Sequence, residues 1–252
     1  MSPVTSIRWL TVFLDFPAST FSAGVAFWRE VTGCELSPAR GASGEFATLL
    51  PASGDAYLRV QQLIDGTGGC HLDLHVDTET ESLTAATERA RPLGATIRHQ
   101  EAGLIVAESP AGLPFCLTEW DGERVVPPPL AGPSGGVTRL DTLCIDVPAS
   151  SFQRECSFWA GLTGWGARSL PFPEYIALRQ PADAVLAARL IVQRLGDSDP
   201  GLRARAHVDF GCTDPDAVNR HVTLGAHVVR TFDYWTVLSD PVGRDYCLVN
   251  RD

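Results

Sequence analysis

The sequence predicts an α+β protein of four repeated βαβββ modules, two to each of two tandem domains, with curved mixed sheets that carry their helices on the outer face. Three observations lead there. The second half of the chain repeats the first, strand-length apolar runs alternate with two helical stretches in each half, and a Pro/Gly-rich segment separates the halves.

The repeat is read by shifting the chain 131 positions: Asp15 to Phe21 then falls on Asp146 to Phe152, Phe27-Trp28 on Phe158-Trp159, and Thr32-Gly33 on Thr163-Gly164. The same shift places Leu93-Gly94-Ala95 on Leu224-Gly225-Ala226, and Ser109 to Leu117 on Asp240 to Leu248. Between these blocks the offset drifts to 132 at Gln61/Gln193 and 136 at His71/His207, as changes of loop length between fixed elements would produce. The expected domains are residues 1–120 and 138–252. Residues 121–137, with three consecutive prolines and several glycines, are the expected semi-rigid linker.

Each half reads in one order. Residues 7–16 and 139–147 are apolar and β-branched enough for strands, and Pro17 and Pro148 stop them. A helix follows, with Ser19 or Ser150 as its expected cap. Phe21, Val25 and Trp28, or Phe152, Cys156 and Trp159, recur at i, i+4, i+7 and so share one face, and Thr-Gly closes the helix in both halves. In the first half three short strands are expected at 34–37, 45–50 and 56–63, then a strand at 71–77, a helix at 79–92 closed by Gly94, and strands at 95–99, 104–108 and 114–119. A sheet with helices on one face leaves the other free, so the open sides should form cups that hold a small molecule.

Composition excludes several other classes. Apolar residues make up 44% of the 252 positions and charged ones 20%, with a formal charge of -10 and no basic cluster, which argues against nucleic acid as a partner. No apolar run is long enough to cross a bilayer and the N-terminus lacks a signal-peptide pattern, so a cytoplasmic protein without a membrane partner is expected. Seven cysteines without a CxxC spacing read as free thiols.

The sharpest local signal is the stretch His71 to Asp77. Its period-two alternation sends Leu72, Leu74 and Val76 one way and His71, Asp73 and His75 the other, and His207-Val208-Asp209 repeats it. A histidine and an aspartate two residues apart on a cup wall can share a proton or a metal, whereas on a solvated face they simply pair. His71, Asp73, His207 and Asp209 are therefore the candidate catalytic residues. Candidate ligand-binding residues are His75, the amides of Gln61 and Gln193, the thiols of Cys116 and Cys247, and Trp235. For the thiols and the ring, core packing is the competing reading. The turns at Ser109 to Gly112 and Asp240 to Gly243 are explained by turn chemistry alone.

The fourfold module, the Phe-Trp pair and Thr-Gly of the first helix, the His-Leu-Asp-Leu-His strand, the Leu-Gly-Ala and the final Asp-Pro-x-Gly-x-x-Tyr-Cys-Leu together resemble the vicinal oxygen chelate superfamily. This is the group of glyoxalase I, the bleomycin-resistance proteins and the extradiol dioxygenases, and the likeness is to its glyoxalase-like subgroup. The resemblance implies metal ligands at a His opening the first strand, a Glu in the fourth, a His or Glu opening the fifth and a Glu in the eighth. His71 and His207 match the fifth-strand position. The first strands offer Leu10 to Val12 and Asp141 to Thr142, the fourth-strand positions are Gln61 and Gln193, and the eighth-strand positions are Cys116 and Cys247. One His, one amide and one thiol leave the divalent-metal ligand set incomplete and the cofactor unknown. Two functions follow as expectations: a metal-independent protein that encloses a small organic molecule, or a lyase, isomerase or dioxygenase acting on a carbonyl or diol through His/Asp acid-base chemistry or a divergent metal site. Whether the duplicated chain pairs again into a homodimer stays open.

Overall fold

The structure is a computed structural model that describes residues 6–182, 184–197, 199 and 201–251. In the first half the elements run β1 (Ile7–Pro17), α1 (Phe21–Thr32), β2 (Glu35–Leu36), β3 (Phe46–Leu50), β4 (Leu58–Leu63), β5 (Gly69–Val76), α2 (Leu83–Leu93), β6 (Thr96–Glu101), β7 (Leu104–Glu108) and β8 (Pro114–Glu119). A short β9 (Leu130–Ala131) pairs with the first strand of the second half. There the order repeats as β10 (Val137–Val147), α3 (Phe152–Thr163), β11 (Gly166–Ser169), β12 (Tyr175–Arg179), β13 (Arg189–Arg194), β14 (Arg205–Cys212), α4 (Ala217–Thr223), β15 (His227–Thr231), β16 (Trp235–Ser239) and β17 (Asp245–Asn250).

Two mixed sheets result. One has the order β2-β3-β4-β1-β5-β8-β7-β6; the other repeats it as β11-β12-β13-β10-β14-β17-β16-β15 with β9 added beside β10. In each half the fifth and eighth strands pair in parallel, β5 with β8 and β14 with β17, and their outer neighbours are antiparallel. The expected α+β architecture of four βαβββ modules is the observed one.

The helix boundaries differ locally from expectation. α1 and α3 follow Thr20 and Ser151 rather than Ser19 and Ser150, and neither side chain caps, because a turn closed by Thr20 N on Pro17 O, or Ser151 N on Pro148 O, leads into each helix. The Thr-Gly ends hold: Gly33 and Gly164 sit at φ 66° and 70°, the left-handed conformation that glycine adopts without strain. α2 starts at Leu83 rather than 79, since Asp77 Oδ1 accepts from Glu79 N and Oδ2 from the Thr80 hydroxyl, holding those residues in a turn until Ser82 caps the helix.

Contacts divide the chain into two compact units, each drawing one module from either half. One comprises Met1–Val12, His71–Val125 and Leu143–Ala206; the other comprises Phe13–Cys70, Val126–Thr142 and His207–Asp252. In the first unit α2 and α3 lie together, and the Phe115 ring meets Phe158 at 5.7 Å and Trp159 at 5.4 Å. The second unit is built the same way: Trp28 of α1 stacks on Phe210 at 6.1 Å and meets Tyr246 edge-on at 5.3 Å. Large apolar side chains buried like these each stabilise the fold by roughly 1.5–3 kcal/mol. Among the described residues no helix is long and apolar enough to cross a membrane.

Candidate functional site

Strand pairing decides which face each candidate occupies, because directly paired residues in a ladder present their side chains to the same side. In the first unit Asp73 pairs with Cys116, and Cys116 with Val106. Leu72 pairs with Phe115 and Leu74 with Leu117, all four fully buried on the face where α3 packs. His71, Asp73, His75, Cys116 and Val106 therefore face away from the helices. The alternation read in the sequence is the alternation of the fold.

On that face three of the candidates converge. His71 Nε2 lies 4.0 Å from Asp73 Oδ1, and one ligand-type atom from each of His71, Asp73 and Cys116 falls within 4.8 Å of the others. Asp73 is only 4% exposed. A carboxylate so poorly hydrated is costly unless its charge is met, which makes the imidazole beside it part of its stability as well as of its chemistry.

His75 does not join this group. Its Nε2 stands 2.9 Å from the Thr11 hydroxyl and its Nδ1 3.3 Å from Glu123 Oε1. Nε2 shares a hydrogen bond with the Thr11 hydroxyl, and the Glu123 carboxylate stands beside Nδ1. The segment after β8 is tied back here, since Trp120 N donates to Val76 O and the Trp120 indole to Glu123 O.

The second unit repeats the row with changes. His207 Nε2 is 3.3 Å from Asp209 Oδ1, and Asp209 pairs with Cys247, which shares hydrogen bonds with both. Burial pushes the Cys247 thiol up to about 11, so by itself it stays protonated at neutral pH and is no ready nucleophile. Cys247 pairs with Val237 and Val249 with Trp235, which brings the Trp235 ring onto the same face, stacked on Phe232 at 4.7 Å. Where His75 stands in the first half the second has Gly211. A Cβ there would come within 2.4 Å of Asp141 Oδ2, because the Asp141–Arg251 ion pair, closed at 2.9 Å, fills that space.

Neither glutamine is part of the His71, Asp73 and Cys116 group. Gln61 pairs with Phe46 on the side of β4 opposite the buried Leu58 and Val60. Gln193 pairs with Tyr175 and accepts from the Cys144 thiol at 3.7 Å. Glu123 and Arg251 went unread in the sequence, and Asp141 was named only as standing at a first-strand position. Glu123 sits in a stretch that reads as a linker, and the Asp141–Arg251 pair joins positions whose first-half counterparts, Leu10 and Trp120, carry no charge.

A family model described as a glyoxalase-like domain matches the chain twice, over residues 11–118 and 142–249. Among solved structures, the chain is similar to 2,2',3-trihydroxybiphenyl 1,2-dioxygenase from Sphingomonas wittichii, with 14% identity, a TM-score of 0.66, and 98% of this chain and 91% of that one covered. A Mn(II)-bound glyoxalase from Novosphingobium aromaticivorans gives 16% identity and a TM-score of 0.66 over 99% of this chain and 83% of that one. 4-Hydroxymandelate synthase from Streptomyces coelicolor gives 14% and 0.64 over 99% and 93%. No curated protein matches in sequence.

The residues gathered here do not fit a hard cation held by imidazole and carboxylate ligands. Mn(II) and Fe(II) favour oxygen-rich sets or two histidines with a carboxylate, whereas this face offers one histidine, one carboxylate and one thiol. The amide of Gln61 is not in the group; Asp73 is the donor that accompanies His71 and Cys116.

Proposed function

We propose, because this chain belongs to the glyoxalase-like domain family in both of its halves, that it binds a small organic molecule bearing a carbonyl or neighbouring hydroxyl oxygens against the His-x-Asp rows. The observation that carries this reading is the register that turns His71, Asp73 and Cys116, and again His207, Asp209, Cys247 and Trp235, away from the helices. Each row offers a histidine and an aspartate beside apolar neighbours, Val106 and Leu104 in one, Val237 and Trp235 in the other. Such a mixture orients an oxygenated ligand through its polar atoms and desolvates the remainder. The names of the similar structures supply the class of molecule to try, phenols, diols and keto acids among them.

Thermal unfolding in the presence of catechol and of pyruvate tests the proposal. Ligand at 100 times its Kd stabilises the folded chain by about 2.7 kcal/mol. For a chain of this size that raises Tm by roughly 5–10 °C. Above Kd the rise should grow with the logarithm of ligand concentration, and it should be lost when His71→Ala and His207→Ala are combined. No rise with either compound, or a rise indifferent to both histidines, overturns the reading.

A second reading, a lyase, isomerase or dioxygenase using an acid-base pair, is favoured by the 3.3 Å approach of His207 Nε2 to Asp209 Oδ1. An imidazole held by a poorly exposed carboxylate is suited to take a proton next to a carbonyl. Deuterium uptake at the carbon next to the carbonyl of pyruvate, present with the native chain and absent in His207→Ala, would support this reading; equal uptake in both removes it.

A further inference from the structure

We infer that the second unit carries a pocket for a short monocarboxylate on the helix side of its sheet, with Arg139 as the group that meets the carboxylate. A cavity of about 40 Å³ opens there beside the end of α1, walled by Leu58, Leu140 and Phe210 of the sheet and by Pro127, Pro128 and Leu130 of the segment between the halves. That volume takes about three water-sized groups, a match for the carboxylate and first carbons of a small acid. The equivalent positions of the first unit carry bulk instead. In the 131-residue repeat Cys34, which lines the cavity, corresponds to Trp165, and Leu140 corresponds to Trp9; both indoles are buried, Trp9 0% and Trp165 2% exposed.

Charge selects the occupant. Arg139 lines the cavity, and its buried Nε has no hydrogen-bond partner among the described residues, which is costly unless an acceptor arrives. Its counterpart Arg8 donates to Asp77 at 3.3 Å, whereas the position matching Asp77 under the 136-residue offset of His71 and His207 is Thr213, so the second half lacks that carboxylate. The Thr138 hydroxyl, also in the wall, accepts from Arg220 at 3.2 Å and so keeps its proton to donate. Tyr57 donates to Leu140 O at 2.6 Å; burial raises its hydroxyl against the pull of the nearby Arg139 charge, so the phenol stays neutral. Asp141, a carboxylate on the same strand, is held by Arg251 at 2.9 Å. Apolar walls with one cation favour a monocarboxylate over phosphate, whose further oxygens would lose their water without finding donors.

Titration calorimetry of the full-length chain with propionate tests the pocket. One equivalent should bind with a Kd of about a millimolar, a strength open to a ligand of so few atoms, and the uncharged propionamide should bind about tenfold more weakly or worse. Arg139→Gln should weaken propionate about tenfold or more and remove its advantage over propionamide. Leu140→Trp, which restores the bulk found in the first half, should abolish binding; should the indole disturb folding, the glutamine variant still decides. Pyruvate should compete about tenfold less well, because the apolar walls offer no donor to its carbonyl. Propionate binding should survive His71→Ala combined with His207→Ala, which separates this pocket from the His-x-Asp rows. No binding, equal binding of acid and amide, binding unaltered in Arg139→Gln or in folded Leu140→Trp, or its loss in the double histidine variant would overturn the pocket.

Discussion

The Trp28 indole donates to the Asp240 carboxylate at 2.9 Å across 212 positions of sequence, binding the first helix of one half to the last turn of the other. The first unit solves the same problem from the opposite side. Trp159, the counterpart of Trp28, donates to Glu155 on its own helix at 2.8 Å, and Glu155 also accepts from Ala111 N at 2.9 Å. Asp240 corresponds to Ser109 and Glu155 to Gly24 in the 131-residue repeat, so the buried carboxylate that meets the indole sits on the turn in one unit and on the helix in the other.

Removing either carboxylate leaves a buried indole and one or more backbone N–H groups without their acceptor. Asp240 also accepts from Val242 N and Arg244 N, so Asp240→Ala should cost about 2–4 kcal/mol in denaturant unfolding, and Glu155→Ala a similar amount. A cost below about 0.5 kcal/mol for both would show that these bonds do not hold the helices.

The repeat, the strand alternation and the glycine-closed helices were all legible, because each is written in local spacing that tertiary packing then follows. Leu72, Leu74 and Val76 could be assigned to the helix side from period two alone. The exchange between Gly24 with Asp240 and Glu155 with Ser109 was not legible, since neither pair is adjacent in sequence and each looks like drift until the helices are seen packed. Glu123 beside His75 was missed for the same reason, and Asp73 was read as a partner for His71 but not as a neighbour of Cys116, which only the parallel pairing of β5 with β8 provides.

The buried His221 gives stability a pH dependence of known sign. Burial first, then Arg220, lowers it to about 4 against the opposing pull of Asp214, so the folded chain keeps it neutral while its Nδ1 meets the Tyr246 hydroxyl at 2.9 Å. An unfolded histidine binds its proton below about 6.5, so this contribution is whole above that pH and is lost as pH falls toward 4, by roughly 3 kcal/mol. Unfolding free energies measured between pH 7 and pH 4.5 should fall more steeply in the native chain than in His221→Phe. Equal slopes would contradict a neutral His221.

Gly211 permits the Asp141–Arg251 pair to occupy the space that His75 fills in the other half. Gly211→Ala places a methyl 2.4 Å from Asp141 Oδ2 and should destabilise by about 1–2 kcal/mol. In the Asp141→Ala background the same change should cost little, and a double-mutant cycle reads the difference. Additive effects would mean that the methyl is accommodated in another way.

The central claim is that the His-x-Asp rows meet the ligand, and histidine ring NMR tests it directly. With catechol, pyruvate and an α-hydroxyketone titrated in turn, at least one compound should move the ring signals of His71 or His207 in a saturable way while those of the buried His221 stay in place. Saturable binding that leaves both His71 and His207 unmoved, or no binding by any of the three, would contradict the account.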